Sequence, residues 1–104
     1  MDPIDIAKED LINAITIWTG YGRSLFPVRN DKLIMELYGD DQGNRIISYL
    51  DLLKNAFYLS DAKFRAPNLK SMGDMAIADF KTKHPNLDAI IYEIFSWCYT
   101  YDYK

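Results

Sequence analysis

The apolar residues of this chain recur at helical spacing, and the recurrence is interrupted near Gly20, Gly39, Pro67 and Pro85. Residues 4–19 place Ile4, Ala7, Leu11, Ala14, Ile15 and Trp18 on one face of a helix. Asp2 reads as its cap and Pro3 suits its first turn. Asp5, Glu9 and Asp10 lie early, where the helix dipole favours acids. Gly20 ends the helix because glycine takes positive φ cheaply. Residues 31–38 predict a short second helix, capped by Asn30 or Asp31 and closed by Gly39. A third helix is expected over about residues 41–59, with Ile46, Leu50, Leu53 and Phe57 in one stripe. Gly43 inside it costs about 1 kcal/mol relative to alanine, so it marks a ragged start, a close helix approach or a later start at Asn44.

Residues 60–70 carry loop signals, and Pro67 biases Ala66 away from helical backbone. A fourth helix runs from Leu69 or Ser71 to Lys83, with Leu69, Met72, Ala76 and Phe80 on one face. Ser71 and Asp74 have the spacing of a capping box. Pro85 then breaks the chain and Asn86 can cap the last helix, about residues 87–100. That helix is apolar on two faces, one with Leu87, Ile90, Ile91, Ile94 and Cys98, the other with Phe95 and Tyr99. Such a helix belongs in the middle of a bundle. The run IIYEIF has high β propensity, but no strong strand pattern competes with the helical one. The expected fold is all-α: one domain over residues 1–104, a compact bundle of about five helices around an apolar C-terminal helix. A chain of 104 residues suits one domain and can bury a core without metals or disulfides.

Catalytic chemistry finds little support. One histidine and one cysteine, His84 and Cys98, cannot make a zinc site within one chain. Cys98 falls on an apolar face and reads as a buried thiol. The serines lack a nucleophile-elbow context. Asp40, Asp41 and Gly43 do not have calcium-loop spacing. No catalytic, cofactor or metal residue is assigned, and the chain is read as a non-enzyme. A single cysteine suits a reducing cytoplasm, and the acidic start MDPIDIAKED is unlike a signal peptide. A cytoplasmic location is therefore expected.

The stretch WTGYGRSLFPVRND, residues 18–31, holds two glycines and two arginines. It lacks the third glycine of a dinucleotide fingerprint and the lysine of a P-loop. Gly20 is a helix terminator, and Tyr21 and Phe26 are expected to pin the connector to the core. Arg23 and Arg29 form a basic island between acidic helices and are expected to brace those acids. If they faced solvent together, the loop would be a second contact region.

Charge alternates along the chain: −3 over residues 1–19, +2 over 20–30, −3 over 31–51, +3 over 52–85 and −2 over 86–104. No segment is a convincing phosphate-tracking stripe. A helix-turn-helix reading of helices two and three would bring Asp40 and Asp41 toward phosphate, which is repulsive. The C-terminal FSWCYTYDYK alternates Trp97, Tyr99, Tyr101 and Tyr103 around Asp102. Tyrosine and tryptophan offer large contact area at small rotamer cost and often anchor interfaces.

With WTGYGRSLFPVRND, HPNLDAIIYEIFSW and CYTYDYK in view, this small, acidic, one-cysteine helical chain resembles bacterial immunity proteins. These neutralise toxins delivered between cells, as in contact-dependent growth inhibition and other polymorphic toxin systems. The resemblance implies a toxin inhibitor acting by protein–protein interaction. Its partner would be the C-terminal toxin domain of a large exported protein, many of which are nucleases with basic clefts. The expected contact residues are Glu36, Tyr38, Asp40, Asp41, Tyr58, Tyr99, Tyr101, Asp102 and Tyr103, the acids meeting toxin lysines and arginines. No nucleic acid and no membrane are expected as partners. One alternative is a helical DNA-binding regulator using Arg23, Arg29, Lys63, Arg65 and Lys70. Another is a small ligand-binding protein with a pocket around GYGR.

Overall fold

The computed structural model describes residues 7–104, and all regular structure among them is helical. The expected all-α class holds. The helices are α1 (Lys8–Thr19), α2 (Asp31–Tyr38), α3 (Asp40–Tyr58), α4 (Ala62–Arg65), α5 (Leu69–Lys81) and α6 (Ala89–Asp102). The chain divides after Leu53 into two compact units, each described in turn.

In the N-terminal unit, α1 begins later than its periodicity predicts. Ala7 is extended and supplies no side-chain cap. The expected cap Asp2, with Pro3, Ile4 and Asp5, lies outside the described residues. Leu11, Ala14, Ile15 and Trp18 of α1 are buried, as are Ile34 of α2 and Ile46, Leu50 and Leu53 of α3. Gly20 ends α1 at φ +76°, and its N–H donates to Thr16 O at 2.9 Å. Asn30 caps α2 by accepting from Leu33 N at 3.1 Å. Of the roles left open for Gly43, the close approach applies: a Cβ there would stand 3.1 Å from Met35 Cα.

In the C-terminal unit, Phe57 at the end of α3 meets Phe80 of α5 at 5.1 Å and Phe95 and Tyr99 of α6 at 5.7 and 5.8 Å. Ile91, Tyr92, Ile94, Phe95, Cys98 and Tyr99 of α6 are all buried. The C-terminal helix is thus central to its unit, because its two apolar faces need two sets of neighbours.

Three local expectations are corrected here. The 60–70 loop contains the short α4. Helix α5 is capped by Asn68, which accepts from Ser71 N at 2.8 Å; Asp74, the other half of the expected capping box, pairs with Lys70 instead. Helix α6 is capped by Asp88, which accepts from Ile90 N at 3.1 Å, not by Asn86. In both cases the helix starts beside a residue whose short polar side chain reaches its own next backbone N–H groups.

Candidate functional site

The predicted contact residues fall into two groups, one in each unit. Glu36, Tyr38, Asp40 and Asp41 lie at the corner where α2 passes through Gly39 into α3. Glu36, Asp40 and Asp41 are exposed, and so is the intervening Leu37. Lys32 approaches Glu36 only to 4.0 Å. Tyr38 is half-buried; burial first, and the nearby Asp10 second, push its hydroxyl pKa upward. The corner is an acidic rim around apolar atoms.

The second group gathers at the end of α6. Tyr99 is not a contact residue: it is fully buried. Its hydroxyl donates to Ser60 O at 2.7 Å and accepts from Lys63 N at 3.0 Å, tying the chain after α3 to α6. In a helix these alternating rings point in different directions, and Tyr99 is the one that points inward. Tyr101, Asp102 and Tyr103 are exposed. Tyr58 donates to Asp102 Oδ2 at 2.6 Å and packs against Tyr99 and Tyr103 with centroids at 5.3 and 6.0 Å. Burial chiefly, then that carboxylate, raises the Tyr58 pKa well above the usual tyrosine value. Lysines lie over these rings: Lys54 on Tyr58, Lys63 on Tyr103 and Lys104 on Tyr101, at 5.3, 4.2 and 4.2 Å. The tyrosine surface is therefore mixed in charge, not acidic as its local sequence suggests. Lys63 also touches Phe64, which is exposed to solvent.

No protein-family model, curated protein or solved structure matches the chain.

Arg29 braces acids as expected. Its guanidinium takes Asp51 in a two-pronged contact at 2.7 and 2.8 Å, and its Nε lies 3.1 Å from both Asp31 oxygens. The Asp51 hydrogen bond is the chief reason its pKa rises. Trp18 Nε1 donates to the same Asp31 at 2.7 Å, and Arg29 stands 5.2 Å over the Trp18 ring. Asp51, on α3, could not be paired with Arg29 from spacing alone. Arg23 does not share this role; it is exposed and faces no carboxylate among the described residues. Phe26, expected to pin the connector, is 50% exposed. The backbone ties the connector to α1: Val28 N donates to Thr19 O at 3.0 Å and Asn30 N to Trp18 O at 2.9 Å.

Among the cations of the DNA-binding alternative, Arg29, Arg65 and Lys70 each face carboxylates. In the GYGR turn a Cβ built at Gly22 has nothing within 4 Å, whereas one at Gly20 would stand 2.9 Å from Ser24 Cβ. A cleft of about 290 Å³ lies elsewhere, lined by Ala56, Leu59, Ser60, Asp61, Arg65, Asp79 and Lys83. Ser60, Asp61, Arg65 and Asp79 pair with one another, while Lys83 is exposed. Ser60 donates to Asp79 Oδ2 at 2.6 Å, and Arg65 reaches Asp79 at 2.8 Å and Asp61 at 2.6 Å. This network fastens α4 to α5; the i,i+4 spacing signals the Asp61–Arg65 pair, but nothing in the sequence pairs Asp79 with Ser60 or Arg65. His84 stacks on Phe80 at 4.9 Å, and its carbonyl accepts from Tyr92. Cys98 is buried, and burial pushes its thiol up to about 12. Among the described residues no helix is long and apolar enough to cross a membrane.

Proposed function

We propose that this chain is a non-enzymatic, cytoplasmic binding protein of the immunity type, which blocks the C-terminal toxin domain of a large exported protein. The observation that carries this reading is the α2–α3 corner. Asp40 and Asp41 are exposed and face no base among the described residues, and they follow the solvent-facing Leu37 and the half-buried Tyr38 across Gly39. A basic cleft, such as that of a nuclease, would meet these carboxylates and be steered toward them, while Leu37 and Tyr38 fill the apolar centre. Tyr58, Tyr101, Asp102 and Tyr103 offer a second contact group with its own lysines. A DNA-binding regulator is the weaker reading, since three of its five cations already face acids.

The test starts from a large exported protein encoded next to this chain. Its C-terminal domain is co-expressed with the chain and purified. Cell survival and a stable complex at micromolar concentration are expected. Asp40→Lys with Asp41→Lys should weaken binding by about one to two orders of magnitude, as charge reversal at an interface does. Absence of both complex and protection would refute the proposal.

A further inference from the structure

The N-terminal unit exposes two surfaces that complement each other. The first is the connector between α1 and α2. Its backbone is held by hydrogen bonds from Arg23 N and Ser24 N to Gly20 O, at 2.9 and 2.8 Å, and by the Val28 and Asn30 bonds to the end of α1. On this fixed frame Leu25 is 95% exposed, with Phe26 and Val28 also exposed beside it. Residues 20–30 contain no acid, and the Arg23 side chain faces no carboxylate among the described residues. The second surface is the α2–α3 corner. There the apolar Leu37 stands among Glu36, Asp40 and Asp41, and residues 33–44 contain no base. One surface is an apolar knob with a cation; the other is an apolar patch with anions.

We infer that the protein pairs with a second copy of itself, the 21–28 loop of each copy seating on the α2–α3 corner of the other. Leu25 then lies against Leu37, and Arg23 faces Asp40 and Asp41. A two-fold arrangement makes the contact twice and closes, so it yields a dimer and no filament. The loop loses little freedom on docking because its backbone is already held. A membrane is a poorer occupant: residues 31–51, which follow the loop, carry −3, and anionic headgroups repel them. The corner is the one proposed above for the toxin, so a toxin and a second copy would exclude each other there; the dimer is read on the pure chain, which keeps its test separate from the toxin test. A failure of either leaves the other standing.

The experiment is sedimentation equilibrium of the full chain at low salt. The expected mass rises with loading from 12.1 kDa toward twice that value. Arg23→Asp alone, and Asp40→Lys with Asp41→Lys alone, should each raise the midpoint concentration about tenfold or more, the scale of one lost charge contact. An equal mixture of these two variants should associate like the parent chain. In the mixed dimer the new Asp faces the new lysines, and the unaltered loop faces the unaltered corner. Leu25→Asp should dissociate the dimer with an unchanged helical circular dichroism spectrum, which separates docking from folding. A mass of one chain at every loading up to about 1 mM, the weak limit of specific affinity, overturns the inference. So does a dimer indifferent to these substitutions, or a mixture that fails to recover.

Discussion

Tyr99 and Tyr103 stand one helical turn apart and have opposite fates. Tyr99 is buried and its hydroxyl both donates and accepts, whereas the Tyr103 side chain is exposed and meets its neighbours through the ring. Tyr99→Phe leaves the Ser60 carbonyl and the Lys63 N–H without their partner. It should lower unfolding free energy by about 1–3 kcal/mol. Tyr103→Phe should stay within about 0.5 kcal/mol of the parent chain. Urea denaturation of both variants decides the matter: equal midpoints would remove the structural role assigned to Tyr99. Gly43 carries a similar lesson. Its presence in a helix is unfavourable by propensity, and the reason for it is a neighbour, Met35, eight residues earlier. A propensity scale sees the cost but not the contact that makes a side chain unwelcome.

At the level of elements, boundaries with a short polar side chain at the entry and glycine at the exit were legible. Helix α2 runs over the expected residues, between Asn30 and Gly39. Where two polar residues competed for a cap, spacing chose wrongly. Asn68 and Asp88 cap α5 and α6, and Ser71 only donates its N–H to Asn68. Asn68→Ala should therefore cost about 1 kcal/mol, the usual value of an N-cap, while Ser71→Ala costs a few tenths at most. Thermal melts of the two variants would reverse that order if the capping-box assignment were right. The short α4 had no periodic signature at all. It is held through its own Arg65, which reaches Asp61 and Asp79, and through Lys63 N, which donates to the Tyr99 hydroxyl, partners that all lie outside its four residues.

At the scale of the whole molecule, each unit holds groups that respond to pH in the same direction. Burial raises the pKa of Tyr38 and Tyr49 in the first, and of Tyr58 and Cys98 in the second. Each is an acid kept protonated by folding, so its folded pKa lies above its unfolded one. Above the unfolded values, about 8.5 for cysteine and 10 for tyrosine, the unfolded chain binds fewer protons than the folded chain. Stability is then fully present below about pH 8 and falls as pH rises beyond about 9. Urea midpoints should be flat in the first range and decline in the second, less steeply in Tyr58→Phe, which removes the largest of these shifts. A midpoint that holds steady from about pH 8 to 11 would contradict this.

Helical class, most of the core and the helix breaks followed from the sequence, because apolar periodicity and the backbone preferences of glycine, proline, asparagine and aspartate act within a few residues. The charge character of the surfaces did not. Asp102, between Tyr101 and Tyr103, has only Lys104 beside it in the chain, yet Lys63 comes from α4 to cover Tyr103. Arg29 is neutralised by Asp51, twenty-two residues away, while Arg23, in the same basic island, is left facing solvent. Sequence spacing sets which face of a helix a residue occupies. Only the tertiary structure decides what lies opposite that face, and with it whether a charge or a ring is used inside the fold or remains for a partner.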